Sequence, residues 1–281
     1  MSHSLIFTRE PGRRAVSLSI VLSSVVFLAC ALLMLRFGIP ESALHTAGHN
    51  RVDLAFEEQM SRFNIRWPRF DGVLAFFAEH DLLKGGPIVF LAWVAFFEDR
   101  RGQAGIGEGR RKLAAVVPMA IAAVGVGRLL ADLFPLRARP FRTPPLQFRM
   151  VSGLPGLYGW SSFPSDHAIL FTALAVGIFF ASRRLGIFAL TYTVLLIDGP
   201  RLLLGIHWPT DILAGAALGV AFASVASFAT YRDFVWSWVE RWRKSYPGIF
   251  AASMFLLCYE ITDLFTTPLT LAHLLLQHFR R

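Results

Sequence analysis

Residues 212–230 read ILAGAALGVAFASVASFAT, a run of 19 residues without one charged side chain. A helix needs about 20 mostly apolar residues to cross the hydrocarbon core of a bilayer. Two further apolar blocks of similar length occupy residues 15–35 and 113–133. Because repeated blocks of this length are typical of chains that cross a membrane several times, the sequence predicts a polytopic membrane protein.

The composition excludes an ordinary soluble domain. Of the 281 residues, 54% are hydrophobic and only 17% are charged, and phenylalanine occurs 26 times. A soluble chain of this size would carry about 25% charged residues. We therefore expect an all-α fold, a polytopic transmembrane helical bundle that forms one integral membrane domain over residues 1–281. It would have about six spans, or seven if the last apolar segment also crosses.

Seven apolar segments are candidates for these spans: Ala15–Leu35, Leu82–Phe97, Leu113–Phe134, Pro164–Ser182, Leu185–Leu204, Pro209–Thr230 and Ile249–Phe265. The second segment is the weakest candidate, because it is short and contains Lys84 and Pro87. The apolar patch Val73–Ala78 is too short to span and is expected in the membrane interface or against the bundle. Residues Tyr231–Lys244 form a basic amphipathic linker that leads, in residues 231–281, to the last hydrophobic segment.

Basic residues collect on one side of the predicted bundle. The four clusters comprise Arg9, Arg13 and Arg14; Arg100, Arg101, Arg110, Arg111 and Lys112; Arg183 and Arg184; and Arg232, Arg241, Arg243 and Lys244. Short cytoplasmic loops are rich in Lys and Arg. The N-terminus and these loops are therefore expected in the cytoplasm, and the net charge of +9 is attributed to topology. If Leu82–Phe97 does not cross, the N-terminus moves outside and the four later spans keep their orientation.

One loop departs from this charge pattern. Residues 135–163 should face outward, yet they contain four arginines and no acidic residue: Arg137, Arg139, Arg142 and Arg149. The loop is either simply basic or an anion site, because the guanidinium fork matches phosphate oxygens. Nucleic acid is not expected as a partner, since no series of aromatic residues for base stacking accompanies the arginines.

Three groups of polar residues lie at the outer ends of the third to sixth spans. They are Arg137–Pro140 after the third span, Phe163–His167 at the start of the fourth, and Arg201, His207 and Asp211 between the fifth and sixth. Because successive spans alternate in direction, these groups should meet on one face of the bundle.

Each group has a chemical logic. Pro164 suits the first turn of a helix, so Ser165 and nearby amides would stand at a helix N-terminus, which attracts anions. His207 and Asp211 are four residues apart and can share a helical face. A carboxylate that binds one imidazole nitrogen fixes the tautomer and leaves the other nitrogen free to attack.

Five charged residues lie within or beside the apolar segments: Arg128, Asp132, Asp198, Arg201 and Asp211. A charge at the centre of a membrane helix costs about 2.5–3.5 kcal/mol on insertion scales, which favours a functional reason for retaining it. Arg128 and Asp132 are four residues apart, and a purely structural ion pair between them is an equal alternative.

The order Arg-Pro, Pro-Ser-x-His, Arg-x5-His-x3-Asp resembles the three-part signature of the type 2 phosphatidic acid phosphatase (PAP2) superfamily. The resemblance covers Asp132–Asp211, and it implies a catalytic core at about residues 113–230. Asp166 stands where many members have Gly. In this feature the chain looks like bacterial undecaprenyl-diphosphate phosphatases of the bacitracin-resistance type.

The resemblance implies a role for each matching residue. His207 would be the nucleophile that forms a phosphohistidine, Asp211 would orient it, and His167 would act as acid and later as base. The phosphoryl oxygens would be held by Arg139, Arg201, Ser165 and a backbone amide near Asp166. The family scheme requires no metal ion and no other cofactor.

Two positions depart from the family pattern. Asp132 stands where the signature begins with Lys, and Arg128 or Arg137 is a possible substitute cation. Pro200 replaces a usual Ser before Arg201, which removes a hydroxyl and an amide donor. Both changes concern substrate binding.

The leading hypothesis is therefore an inner-membrane lipid phosphatase with a periplasmic active site. It would hydrolyse the terminal phosphate of a lipid phosphate or diphosphate, with undecaprenyl diphosphate, a carrier in cell-envelope synthesis, as the first substrate to test. Alternatives are a lipid A or phosphatidylglycerophosphate phosphatase, a lipid phosphotransferase, and a non-catalytic membrane scaffold or transporter. The oligomeric state stays open.

Two structural expectations are independent of the site. Cys30 and Cys258 each lie in an apolar segment and are expected to pack rather than to form a disulfide. Gly215 and Gly219 form a small-xxx-small pair that should let another helix approach closely.

Overall fold

The computed structural model of the chain describes residues 13–37, 51–98, 107–144, 146–149 and 161–266. Within these ranges the chain forms α-helices joined by turns and contains no strand, so the predicted all-α class is confirmed. Three of the predicted topology arginines, Arg9, Arg100 and Arg101, lie outside the described residues.

The helices are named in chain order: α1 Arg13–Phe37, α2 Arg51–Arg66, α3 Pro68–Glu79, α4 Asp81–Lys84, α5 Gly86–Glu98, α6 Glu108–Leu133, α7 Asp166–Ala181, α8 Arg183–Tyr192, α9 Gly199–Leu203, α10 Pro209–Val225, α11 Ala229–Ser245 and α12 Pro247–Thr262. A π-helical segment, Thr193–Asp198, joins α8 to α9. A single 3₁₀ turn, Pro140–Arg142, lies in the loop after α6.

Three described helical segments are long and apolar enough to cross a membrane: Ala15–Met34, Glu108–Leu133 and Arg183–Leu203. A fourth segment pairs α10 with α11, which bend by 79° at the break between them. Three apolar helices are shorter, namely Gly86–Phe97, Asp166–Ala181 and Pro247–Thr262. Several apolar helices and candidate spans in one chain confirm the multi-pass membrane class.

Three predicted span boundaries need correction. The second span is divided at Gly85 into α4 and α5, in keeping with the weak pattern noted there. The fourth begins at Asp166 and is only 16 residues long. The sixth ends at Val225, because the chain turns there and residues 229 and 230 already belong to α11.

Helix α7 occupies the centre of the bundle. Its residues Ala168–Ala175 are all buried, and it packs against α5, α6, α8 and α10. A helix that is apolar on every face is expected to be surrounded by other helices or by lipid. This position explains how so short a helix can be strongly apolar.

The close approach predicted at Gly215 and Gly219 is confirmed, and the neighbouring helix is α7. A Cβ atom at Gly215 would lie 2.5 Å from the Ser165 carbonyl oxygen, and one at Gly219 would lie 2.5 Å from that of Ile169. Both distances are far below van der Waals contact, so the two backbones can meet only because these residues are glycine.

The two cysteines are free, as expected. Cys30 is buried, and the Cys258 sulfur accepts a hydrogen bond from Trp93 Nε1 at 3.2 Å. Both therefore contribute to helix packing.

Polar contacts distinguish the two ends of the bundle. At one end α11 is tied to the start of α6, where Arg232 binds Glu108 at 2.5 Å and Arg111 binds Asp233 at 3.3 Å. The opposite end carries the loop after α6, the start of α7 and the start of α10. Most of the predicted cytoplasmic basic residues that are described therefore lie away from the end that holds the three polar groups.

Helices α2 and α3 cover the end that holds the polar groups. In α3, Leu74 and Ala75 are buried against Leu204 and Ile206. One face of the patch Val73–Ala78 therefore lies against the bundle, the second of the two placements that the sequence allowed, while Val73 and Phe76 are exposed.

Candidate active site

The three polar groups meet, as the alternating direction of the spans predicts. Arg139 Nη1 lies 3.0 Å from the Ile206 carbonyl oxygen and 3.4 Å from His207 Nε2. The Ser165 amide donates to the Asp211 carbonyl oxygen at 3.2 Å. Residues from the first, second and third groups are thus in direct contact.

The sharp turn between α9 and α10 carries His207. Gly205 has φ +66°, a conformation that favours glycine, and a Cβ there would lie 2.7 Å from the Phe148 ring. The Gly205 carbonyl accepts from the Phe141 amide at 3.0 Å, which ties this turn to the arginine-rich loop.

The imidazole of His207 has a defined tautomer. It is buried, and Nδ1 lies 2.8 Å from the Ser162 carbonyl oxygen. Because a carbonyl can only accept, Nδ1 carries the hydrogen and Nε2 carries the lone pair. The lone pair therefore lies on the side of the ring next to Arg139.

Asp211 lies farther from His207 than the sequence suggested. Its Oδ2 is 3.6 Å from His207 Nδ1 and accepts a hydrogen bond from the Trp208 amide at 2.9 Å. The carbonyl of Ser162 makes the short contact instead. Sequence reasoning missed Ser162, because a backbone carbonyl leaves no signal in residue type; an orienting role for Asp211 stays a prediction.

Burial lowers the pKa of His207 to about 4, and the positive charges of Arg139 and Arg201 act in the same direction, while Asp211 opposes them. The imidazole is therefore neutral at physiological pH. A neutral imidazole whose Nε2 carries a lone pair and no proton is the form that a nucleophile requires.

Arg139 is buried beside that lone pair and has an N–H donor that is not used by any described residue. Within the described residues its Nε has no hydrogen-bond partner. Burial lowers the pKa of Arg139 to about 10, so the guanidinium stays charged at neutral pH. A buried, charged donor without a partner indicates a place for an anion.

Arg201, Ser165 and His167 lie around the same point. Arg201 is buried on α9 and donates to the Ile197 carbonyl, one turn earlier. Ser165 caps α7, its Oγ accepting from the Ala168 amide at 3.4 Å. His167 stands in the first turn of α7, close enough to Arg201, Arg139 and His207 to feel their charges. The arrangement presents cations, a helix N-terminus and two imidazoles to one region.

Arg128 does not pair with Asp132, so the structural ion pair considered from their spacing is wrong. Arg128 Nε donates to Asp166 Oδ2 at 2.9 Å, and Nη2 donates to the Leu264 carbonyl oxygen at 2.9 Å. Asp132 is exposed. Arg128 thus balances the carboxylate at the start of α7, and the Asp166 group available to an anion is its backbone amide.

Arg137 is also engaged. Its Nη1 donates to Thr210 Oγ1 at 2.8 Å and to Asp211 Oδ1, and its Nη2 donates to Asp53 Oδ2 at 2.7 Å. Both candidate substitutes for the missing Lys therefore bind carboxylates. Whether either also binds phosphate stays a prediction.

Asp53 was missed from the sequence, although a signal existed. The buried residues of α2 are all polar and recur at intervals of three or four: Asp53, Glu57, Ser61 and Asn64. A polar stripe at helical spacing is ordinarily read as a solvated face. Here it faces the protein, because α2 packs against α9 and α10.

Lys84 is a further buried cation near the site. It is 7% exposed, and its Nζ lies 2.5 Å from Asp81 Oδ1. Its charge acts on His167. The sequence showed it only as an interruption of an apolar segment.

The donor set suits an anion better than a metal ion. Across the described ranges, no group of three or more His, Cys, Asp or Glu side chains is arranged to hold a metal ion. The neighbouring carboxylates Asp53 and Asp211 are instead bridged by Arg137.

Comparison with known proteins agrees with this class of site. Residues 111–244 match the model of the PAP2 superfamily. Phosphatidylglycerophosphatase B of Escherichia coli strain K12 is 35% identical over 79 residues, which cover 25% of this chain and 30% of that protein. The bacitracin transport permease protein BcrC of Bacillus licheniformis is 40% identical over 63 residues, which cover 22% of this chain and 30% of that protein. The match thus spans less than a third of the length of these curated relatives.

A solved structure is also similar, the first transmembrane PAP2 type phosphatidylglycerolphosphate phosphatase from Bacillus subtilis. It is 20% identical, covers 74% of this chain and 94% of its own, and has a TM-score of 0.45.

Fold and site together define a helical membrane protein in which His207, Arg139 and Arg201 are buried at one end of the bundle. Residues 111–244 are similar to the PAP2 superfamily, in agreement with the resemblance that the three-part signature carries.

Proposed function

We propose that the protein is a membrane lipid phosphatase, a phosphoric-ester or diphosphate hydrolase that acts through a phosphohistidine. The observation that supports this most strongly is the pairing of His207 with Arg139. The lone pair of a buried, neutral imidazole lies 3.4 Å from a guanidinium whose Nε has no partner among the described residues. A nucleophile beside preplaced donors is what phosphoryl transfer requires.

In the first step His207 Nε2 attacks the terminal phosphorus. The bond from phosphorus to the lipid-side oxygen breaks, and that oxygen takes a proton from His167, which becomes protonated when the anionic substrate enters the site and offsets the positive charges of the arginines around it. The hydrogen on Nδ1 stays directed at the Ser162 carbonyl, so the positive charge that develops on the ring is stabilised. Arg139 and Arg201 balance the negative charge on the oxygens of the transferring phosphoryl group. Ser165 and the Asp166 amide are additional hydrogen-bond donors to these oxygens.

In the second step water replaces the histidine. His167, now neutral, takes a proton from a water molecule while the water oxygen attacks phosphorus. The bond between phosphorus and Nε2 breaks, inorganic phosphate is released, and His167 is again protonated. The cycle needs no cofactor beyond the side chains named.

For the substrate we propose a polyprenyl diphosphate, with undecaprenyl diphosphate as the first example. The relative named for bacitracin transport and the Ser-Asp-His sequence support this class. Phosphatidylglycerophosphate is the second candidate, because another relative carries the name of a phosphatase for that lipid. Transfer of the phosphoryl group to a second lipid in place of water uses the same first step.

The site is proposed to face the periplasm from the inner membrane. Arg111 and Arg232 lie at the end of the bundle opposite His207, and basic residues favour the cytoplasmic side. An aqueous thiol reagent applied to intact cells, with single cysteines placed at each end, would test this orientation. Labelling of the α11 end alone would contradict it.

The activity is tested by phosphate release from undecaprenyl diphosphate, phosphatidylglycerophosphate and lipid A by the purified protein. His207→Ala should lower the rate by about 10⁴-fold or more, since a lost nucleophile has effects of that order. His80→Ala is the matched control, because the His80 Nδ1 also bonds a carbonyl, that of Phe76 at 2.9 Å, but the residue is exposed on α3.

Two results would contradict the proposal. Wild type and His207→Ala with equal rates on every lipid would favour a non-catalytic scaffold. If the protein released phosphate from phosphatidylglycerophosphate but from no polyprenyl diphosphate, the proposed phosphatase activity would stand and the proposed substrate class would be wrong.

A further inference from the structure

Helix α2 lies outside residues 111–244, the part of the chain that matches the family model. Its side chains nevertheless enter the site. Asp53 has no exposed surface, and both of its carboxylate oxygens are bonded to residues of the family domain. Removing a carboxylate from water costs free energy that even a well-paired ion pair often does not recover, so its presence here calls for a function.

The first contact of Asp53 is with the start of α10. Its Oδ1 accepts from the Thr210 amide at 3.1 Å, and its Oδ2 accepts from Thr210 Oγ1 at 2.5 Å. The first amides of a helix have no partner within the helix, and a carboxylate there also interacts favourably with the helix dipole. Asp53 therefore holds the turn that carries both His207 and Asp211.

The second contact is with Arg137, which bridges Asp53 and Asp211. Arg137 Nη2 binds Asp53 Oδ2 at 2.7 Å, and Nη1 binds Asp211 Oδ1. The other oxygen of Asp211 lies 3.6 Å from His207 Nδ1. A continuous row of charges thus runs from α2 to the imidazole of His207.

The charges in this row do not cancel. Asp53 and Asp211 contribute two negative charges and Arg137 one positive charge, so one negative charge remains behind the ring of His207. Glu57 adds none, because burial raises its pKa to about 9 and it is neutral at physiological pH. When Nε2 takes up a phosphoryl group the ring becomes positive, and this surplus negative charge stabilises it.

We propose that Asp53 is a positioning residue for the reaction at His207. It fixes Arg137 and the first turn of α10, and it supplies the uncompensated negative charge behind the nucleophile. The catalytic unit then consists of the family domain together with Asp53. This inference rests on the proposed phosphatase activity.

The groups that interact with Asp53 or His207 from the surrounding elements are Cys30 of α1, Glu57 of α2, Arg137 and Arg139 of the loop, His167 of α7, Arg201 of α9, and Asp211 of α10. Lys84 of α4 acts on His167 and Asp166 of α7 acts on Arg139. Among them, Glu57 offers a matched control for Asp53. Both lie on α2, one turn apart, and neither has exposed surface.

The experiment compares Asp53→Asn with Glu57→Gln. Each replaces one carboxyl oxygen by an amide nitrogen, but only the first removes a charge at neutral pH. For Asp53→Asn we expect kcat to fall roughly tenfold or more, which corresponds to one pK unit of lost charge stabilisation, with KM changed much less. The acidic limb of the kcat/KM profile should move to lower pH, because the imidazole loses a negative neighbour.

Glu57→Gln should stay within about twofold of wild type in kcat and keep the wild-type acidic limb, since it conserves charge. Asp53→Glu should restore the position of the acidic limb because it restores the charge. Thermal unfolding of each variant shows how much protein is folded, and rates are compared per folded molecule.

An Asp53→Asn protein with the wild-type kcat and pH profile overturns the inference. So does a loss of kcat that Glu57→Gln shares, because the polar stripe of α2 would then be only structural. The proposed function is tested separately by wild type against His207→Ala, and an inactive wild type overturns that function before Asp53 is considered.

Discussion

Arg137 and Arg139 are separated by one residue and are buried to the same extent, each with 6% of its surface exposed. Their surroundings differ. Both Nη atoms of Arg137 bind carboxylates, whereas Arg139 has no carboxylate bonded to it among the described residues and keeps an unpartnered Nε. The difference shows that, in this loop, one buried guanidinium pairs with carboxylates of the protein, and it supports the proposal that the other binds the phosphoryl group.

Removal of Arg137 gives the largest effect expected from this comparison. Arg137→Ala leaves Asp53 and Asp211 buried and unpaired, and losing one partner of a buried ion pair costs about 3–5 kcal/mol of folding free energy. Thermal unfolding in detergent should show a large decrease in the melting temperature. A variant as stable as wild type would mean that the two carboxylates are neutral or hydrated.

Arg139→Ala should have the opposite profile. Among the described residues it removes no ion pair but only the hydrogen bond to the Ile206 carbonyl and the contact with His207 Nε2, so the melting temperature should change much less than in Arg137→Ala. Loss of one donor to a transferring group costs about 10²–10³ in kcat, or about 2.7–4 kcal/mol of transition-state stabilisation. Equal losses of stability for Arg139→Ala and Arg137→Ala would remove the distinction between the two arginines.

The activity at acidic pH tests the protonation state of His207, which lies beside Arg139. The pKa of His207 in the folded protein is lowered to about 4, from its usual 6.5, so kcat/KM should decrease only as pH falls through about 4. Between these values the unfolded chain binds a proton that the folded protein does not, so this site lowers stability as pH falls from 6.5 to 4. An acidic limb near pH 6.5 that depends on His207 would contradict the buried position.

Lys84→Met is expected to have the smallest effect. Lys84 is paired with Asp81, whose side chain is 42% exposed. The carboxylate of Asp81 therefore cancels part of the effect that the positive charge of Lys84 has on His167. We expect KM for a lipid phosphate to rise roughly threefold to tenfold, on the scale of one partly screened charge interaction. An unchanged KM would show that Lys84 does not contribute to binding of the lipid phosphate.

The sequence predicted the helical class and the meeting of the three polar groups, because both depend on residue type and on the alternation of spans. It also predicted the close approach at Gly215 and Gly219. It could not supply Ser162, since any residue offers a carbonyl. It did not supply the partner of Arg128 either, because the spacing pointed to Asp132 on the same helix and the actual partner, Asp166, lies on another.

The sequence placed α7 closely, since the predicted segment Pro164–Ser182 differs from Asp166–Ala181 by two residues at the start and one at the end. The sequence did not explain why this helix is so short. A helix surrounded by protein need not match the thickness of the hydrocarbon layer, so its length is set by its neighbours and not by the bilayer. The sequence also could not show that the polar stripe of α2 is buried. A helix with such a stripe resembles a surface helix until the position of α10 is known.

The contact between Arg128 and the Leu264 carbonyl has a practical consequence for altering the C-terminus. The peptide oxygen after α12 shares a guanidinium with Asp166, the first residue of the helix that carries His167. A chain that ends before Leu264 would lack this hydrogen-bond acceptor for Arg128. Arg128 would then be less firmly held beside Asp166, next to His167. Reporter fusions or affinity tags at this end are therefore best joined beyond residue 266, where this anchor is retained.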